Sequence, residues 1–202
     1  MAPEKRERLF QAARDEFAAR GFSHASLNRI IGAVGMSKSS FYHYFQDKAD
    51  LFRQTFTSTL APIIELQQTI DIDRLTRDSL WPTILASMGQ ALQITQTRPE
   101  IITAGRMFYK SREVPEGAAL TGEYLGALSG WITGIIHRGQ EVGAFRNDLP
   151  DDLLIDMLMA MGMTMDNWVL NRWDQFDEDA RSGLVVKFID IVQRFLAPPE
   201  DG

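Results

Sequence analysis

The stretch "GMSKSSFYHYFQDKADLF", Gly35–Phe52, decides how this chain is read. Phe41, Tyr42, His43, Tyr44 and Phe45 follow one another directly, so the run cannot keep apolar groups on one face of a helix and polar groups on the other. Small hydroxyl residues and a lysine, Ser37 to Ser40, lead into it. Phe41 and Phe45 are four apart and share a face, which they turn inward. Tyr42, His43 and Tyr44 are then left to face outward or sideways. Such a helix packs with one side and reads something with the other.

The residues around it supply the frame. Apolar residues recur at helical spacing over 3–20, with Leu9, Ala13 and Phe17 on one face and Gly21 as a left-handed stop. Ser26 caps a short helix reaching Val34, which turns Ile30, Ile31 and Val34 inward. Gly35 ends it, and Ser37 caps another from Lys38 to about Tyr44. Asp47 caps a fourth, and Asp50 at its third position favours the positive end of the helix dipole. Two short helices joined by a tight Gly-containing turn make a helix-turn-helix. In that arrangement the second helix enters the DNA major groove, N-terminal residues nearest the base edges. Ser39 and Ser40 permit close approach, Lys38 adds positive charge, and Lys48 sits where free backbone N–H groups already favour a phosphate.

Downstream the helical periodicity continues and strand signals are nearly absent. The expected helices are Lys48 to about Thr69, Asp73 to Thr97, a shorter one to Ser111, Gly117 to Val142, one opening at Asp148 or Pro150 and reaching about Asn171, and Asp177 to Leu196. The run Gly143–Asp152 is expected as a loop.

Composition fits this division. The chain has 202 residues, a net charge of −6 and no Cys, which removes disulfide scaffolds, thiolate metal sites and Cys nucleophiles. Residues 1–53 hold nine Lys/Arg against six Asp/Glu, a balance of +3; the remainder holds twelve against twenty-one, a balance of −9. A mildly basic module therefore precedes an acidic body. The charged start does not read as a signal peptide, and no uncharged stretch approaches 18 apolar residues, so a cytoplasmic protein without a membrane partner is expected.

The segment "ASLNRIIGAVGMSKSSFYHYFQDKADLF" resembles the DNA-binding domain of the TetR family of transcriptional regulators. The matching features are Gly21-Phe22, Ser26, Ala33 through Ser37, Tyr42 through Phe45, Lys48 and Asp50-Leu51. The match covers about residues 6–53, and chain length and the helical remainder agree with it. The sequence departs at Asn28-Arg29, where many members have an acidic residue followed by Ile; the inward Ile is one place later, Ile30. The resemblance implies an all-α protein with a three-helix DNA-binding domain over 1–53 and an effector-binding and dimerisation domain over 54–202. It implies base reading by Asn28, Lys38, Ser39, Ser40 and Tyr42, and phosphate contacts from Ser26, Tyr44 and Lys48, with His43 able to join either set. The implied partners are double-stranded DNA bearing a palindromic operator, a small-molecule effector and a second copy of the chain; repression is the family default.

In the larger domain Leu154, Met157, Leu158, Met161, Met165 and Trp168 form one apolar stripe, and Val185, Phe188, Ile189, Val192 and Leu196 another. Both are suited to a four-helix dimer interface, as in the TetR family, or to their own core. Gly122, Gly126, Gly130 and Gly134 recur every four residues in one expected helix, each costing ~1 kcal/mol relative to Ala. They mark either close helix approach or room for a ligand. Candidate effector contacts are Trp81, Met88, Met107, Phe108, Gly130, Trp131, Met161, Met165 and Trp168, with Arg106, Tyr109, His137, Asp166 and Asn167 as polar groups to orient an apolar or aromatic molecule. No cofactor, metal motif or catalytic constellation is expected; Asp151-Asp152 sits at a helix start, where the dipole accounts for it. The competing reading is an architectural DNA-binding protein of the same fold with no effector.

Overall fold

The computed structural model describes residues 1–199. Among them the regular structure is all helical, with no strand: α1 (Pro3–His24), α2 (Leu27–Ala33), α3 (Lys38–Tyr44), α4 (Lys48–Gln68), α5 (Arg77–Thr97), α6 (Pro99–Ser111), α7 (Pro115–Leu120), α8 (Gly122–Glu141), α9 (Asp151–Arg172) and α10 (Glu178–Leu196). They form two compact units. The first joins Met1–Pro62 to Arg98–Tyr124; the second joins Ile63–Thr97 to the chain from Leu125 onward.

In the first unit α1 buries Leu9, Phe10, Ala13, Arg14 and Phe17 along one side. The short helices α2 and α3 cannot cover a strip of that length. Helix α6 completes the cover, burying Ile101, Ile102, Ala104, Met107 and Phe108 as it packs along α1. The unit carrying the helix-turn-helix is therefore larger than the 53 residues that the sequence marks off. Gly21 is a kink rather than the stop expected of it: it adopts φ 68° and ψ 171°, and helix resumes as far as His24. A Cβ at Gly21 would also stand 3.1 Å from the carbonyl oxygen of Lys110. Positive φ and the approach of α6 both call for glycine there.

The single helix expected from Gly117 to Val142 is two. Thr121 ends α7 by donating its hydroxyl to the Ala118 carbonyl at 2.9 Å, while accepting from Arg112 Nη1 at 2.9 Å. Helix α5 begins at Arg77 rather than Asp73. Thr76 and Ser79 cap its start reciprocally, with Ser79 N–H donating to Thr76 Oγ1 at 3.2 Å and Thr76 N–H to Ser79 Oγ at 2.9 Å.

The second unit is built on Leu75, Leu80, Ile135, Ile136, Phe145, Leu154 and Leu196, with Trp81 and Trp131 packed against them. The expected loop over Gly143–Asp152 is a loop, yet it supplies part of that core, since Phe145 is buried. Gly139 makes this possible: a Cβ there would lie 2.1 Å from the Phe145 ring. Arg146 anchors the loop to the end of α10, its N–H donating to the Leu196 carbonyl at 2.8 Å and Nη1 to that of Phe195 at 3.3 Å, a cation on a helix C-terminus. The apolar stripes of α9 and α10 are divided. Leu154 and Leu196 enter this core, Leu158 and Val192 pack against it and Ile189 is buried, whereas Met157, Trp168, Val186 and Ile191 are exposed. Helix α9 is long and apolar enough, by length and composition, to cross a membrane, and little of it is buried within the chain.

Candidate nucleic-acid interface

Each helix of the helix-turn-helix is started by the hydroxyl that the sequence places there. Ser26 Oγ accepts the Arg29 N–H at 3.4 Å, and Ser37 Oγ accepts the Ser40 N–H at 3.2 Å. Between them Gly35, at φ 61°, makes the turn, and Met36 N–H returns to the Ile31 carbonyl at 2.9 Å. Ile30, Ile31, Val34 and Met36 are buried, so the angle between α2 and α3 is fixed by packing.

Helix α3 separates its aromatics as their spacing requires. Phe41 and Phe45 are buried and stack with centroids 5.2 Å apart, and Phe45 meets Phe10 of α1 edge-on at 6.3 Å. Tyr42 and Tyr44 remain 58% and 42% exposed, outside the core that could have taken them. Lys38, Ser39 and His43 are exposed as well, Ser40 half-buried, and Asn28 exposed on α2. The surface so formed is polar, aromatic and cationic, on a helix held from behind by two phenylalanines. It can donate and accept hydrogen bonds along its length and present flat rings, which is what base edges and sugar-phosphate rails require.

Lys48, expected to hold a phosphate, has another use. Its ammonium donates to the carbonyls of Phe22 at 2.7 Å, Ala25 at 3.1 Å and Ser23 at 3.4 Å, and lies 4.5 Å from the centre of the Phe22 ring. These carbonyls belong to the last turn of α1 and the link to α2, so α4 is tied to the chain leading into the helix-turn-helix. Burial pushes the ammonium below its usual pKa, opposed by Glu116 and Glu16. Its neighbour Asp50 accepts from Gln54 Nε2 at 2.9 Å and from Gln46 N–H at 3.0 Å, which hold its carboxyl below the usual range.

On the other side of the link stands Glu16, which the sequence did not mark. Glu16 Oε1 accepts the Ser26 N–H at 2.8 Å and Arg29 Nε at 2.9 Å, and Oε2 accepts Arg29 Nε at 3.1 Å. Arg29 holds the Glu16 carboxyl below its ordinary pKa. The available signal was Arg29 itself, a cation where an acidic residue at the third helical position would complete a cap.

The residues expected around an effector are distributed rather than gathered. Met107 and Phe108 lie in the core of the first unit, where Phe108 stacks on Phe56 at 5.7 Å. Trp81 meets Phe145 at 5.1 Å in the second. Trp131 joins the same core, its indole N–H buried without an acceptor among the described residues. Met88, Met161 and Met165 are half-buried; Arg106 is half-buried in the first unit. His137 is exposed, with Nε2 3.2 Å from Asp151 Oδ2, and Trp168 packs on Phe176 at 5.6 Å and under Arg172. Gly122, Gly126 and Gly130 are exposed, with open space where a Cβ would go; of the four, Gly134 alone meets a neighbour, Ile72 at 3.2 Å. An open groove of about 430 Å³ in the second unit is lined instead by residues of α4, α5 and the connection between them, among them Leu66, Ile70, Ser79, Pro82 and Gln90.

Comparison with known proteins agrees with this geometry. Residues 9–55 match the family model for bacterial regulatory proteins of the tetR family. The chain is 24% identical over 159 residues to the uncharacterized HTH-type transcriptional regulator YdgC of Bacillus subtilis, covering 78% of this chain and 77% of that one. It is 24% identical over 157 residues to the HTH-type transcriptional repressor AcnR of Corynebacterium diphtheriae, covering 74% and 73%. Among solved structures it is similar to the transcriptional regulator FadR of Bacillus subtilis in complex with stearoyl-CoA, with a TM-score of 0.70 at 18% identity over 92% of this chain and 96% of that one.

Proposed function

We propose that this chain is a ligand-responsive repressor of the TetR family of bacterial regulatory proteins rather than an enzyme, releasing a palindromic operator when an apolar or aromatic small molecule binds; the family match over residues 9–55 and the likeness to HTH-type regulators along most of the chain support this reading. One observation carries the DNA-binding part: α3 buries Phe41 and Phe45 and leaves Lys38, Ser39, Tyr42, His43 and Tyr44 on an exposed face. Asn28, Lys38, Ser39, Ser40 and Tyr42 read base edges. Ser26, Tyr44 and His43 bear on the backbone, and Lys48 acts chiefly by anchoring α1 to α4.

One recognition helix covers too little DNA for high specificity, so the working form is a homodimer spanning two half-sites. The exposed apolar residues of α9 and α10, Met157, Trp168 and Val186 among them, support a second copy as the partner. The effector binds in the second unit. Its aromatic residues Trp81 and Trp131 and its methionines suit an apolar molecule, and the unpaired Trp131 N–H offers a donor to an oxygen of that molecule. FadR, solved with stearoyl-CoA, supports an effector with a long apolar part. The ligand acts by preferring the arrangement that fits DNA less well, and its effect is bounded by that preference.

The test is selection of genomic fragments by the purified protein, with sequencing of the bound DNA. A short palindrome beside a few promoters is expected, and the neighbouring genes then indicate which chemicals to titrate. Capture of many unrelated fragments with no shared palindrome favours the architectural reading; no capture above random DNA, with or without candidate ligands, overturns both.

A further inference from the structure

We propose that Glu16 is a positioning residue for DNA recognition: reaching from α1, it supplies the half of the α2 cap that Arg29 cannot, and so sets the angle at which the helix-turn-helix meets DNA. This rests on the DNA-binding reading above. In a capping box the first residue's hydroxyl accepts the backbone N–H of the third helical residue, and that third residue's carboxylate or amide returns to accept the first residue's N–H. Here Ser26 performs its half on Arg29. Arg29, being cationic, has no acceptor to give back. The Ser26 N–H goes instead to Glu16 Oε1 at 2.8 Å, and the Arg29 guanidinium closes on the same carboxylate through Nε.

One carboxylate thus ties three points together: its own helix, the first N–H of α2, and the side chain at the third position of α2. Arg20 Nε, 3.7 Å away, adds a further positive charge. The Glu16 side chain is 13% exposed, so it is not a flexible surface group. A cap made within α2 starts that helix and leaves its tilt on α1 to apolar packing. A cap made from α1 does both, because the α2 start and the α1 side chain cannot move apart without breaking it. Asn28 lies between the two points Glu16 holds, Ser26 and Arg29, so its presentation depends on the clamp directly; α3 follows through the packing of Ile31 and Met36. Lys48 holds the other side of the same link by its carbonyls, leaving residues 22–26 fixed from α1 and α4 at once.

The test separates position from charge and from general stability. Glu16 is a negative charge beside a DNA-binding surface, so on electrostatic grounds alone E16A should strengthen binding to every DNA. A merely structural loss should weaken binding to every DNA. The positioning role gives opposite signs: E16A binds a duplex bearing the selected palindrome about tenfold more weakly, the scale of one lost helix cap, while binding a scrambled duplex as well as or better than the original protein. E16A/R29Q, which restores an acceptor at the third helical position, recovers most of the lost discrimination. Amide exchange at Ser26, followed by NMR without DNA, accelerates in E16A and slows again in the double variant; this arm remains readable even if the protein selects no DNA. Unchanged Ser26 exchange in E16A, equal changes on both duplexes, or a double variant no better than E16A would each overturn the proposal.

Discussion

Replacing Lys48 by methionine separates two uses of one ammonium group. Methionine keeps an unbranched apolar stem against Phe22 and removes the charge and the donors. The bonds at 2.7 Å to Phe22 and 3.1 Å to Ala25 are the strong ones; the third, at 3.4 Å, is weak. Hydrogen bonds to a charged group contribute about 1.5–3 kcal/mol each, so two give about 3–6 kcal/mol before offsets. Two terms run the other way. The half-buried ammonium no longer has to be desolvated, and the carbonyl of exposed Ser23 regains water. A net loss of about 2 kcal/mol remains, which for a chain of this length lowers Tm by about 4–8 °C. The assay is thermal unfolding without DNA, followed by affinity for the selected duplex across a salt series. With the ammonium on the carbonyls, Tm falls while the slope of log affinity against log salt stays close to that of the original protein. An unchanged Tm with a slope shallower by about 0.9 is the signature of one lost phosphate contact and would refute the anchoring role.

Three further outcomes follow from particular contacts. Gly117→Ala places a Cβ 2.1 Å from the Ser111 carbonyl oxygen, with backbone on both sides; a loss of about 3 kcal/mol is expected, read as a lower urea midpoint at unchanged m. Glu16 and Asp50 have folded pKa values below their ordinary 4.5 and 3.8, so their contribution is present above those values and is lost as pH falls through the lowered ones. Stability should decline on acidification below about pH 4.5, and D50N should show a shallower decline in Tm across that range. Met157→Arg puts a charge on the exposed face of α9, and sedimentation should show the monomer at concentrations where the original chain is dimeric; a dimer of undiminished affinity moves the interface elsewhere.

The helix-turn-helix was legible in the sequence because its signals are local. A hydroxyl before a helix, a glycine at positive φ and two phenylalanines four apart each act within one or two turns, and Ser26, Ser37, Gly35, Phe41 and Phe45 stand in the structure as that grammar requires. The partition of α3 into a buried pair and an exposed set was readable for the same reason. Boundaries set by neighbours were not. The split at Thr121 depends on the Arg112 guanidinium, and the Gly21 kink depends in part on α6 passing at Lys110.

Side-chain partners distant in sequence were decided by tertiary structure alone. Nothing about Lys48 within its own helix distinguishes a phosphate contact from a tie to carbonyls more than twenty residues earlier, and nothing near Glu16 announces that it caps a helix starting at Leu27. The glycines of α8 make the same point: their spacing demanded a reason, yet three of the four face open space and only Gly134 meets a neighbour. By itself the sequence determined the all-helical class and the reading head, since both arise from interactions over three or four residues. Which charged groups stay on the exposed face and which hold the fold was decided by packing between helices, because a buried ammonium or carboxylate must find its partners wherever the chain brings them.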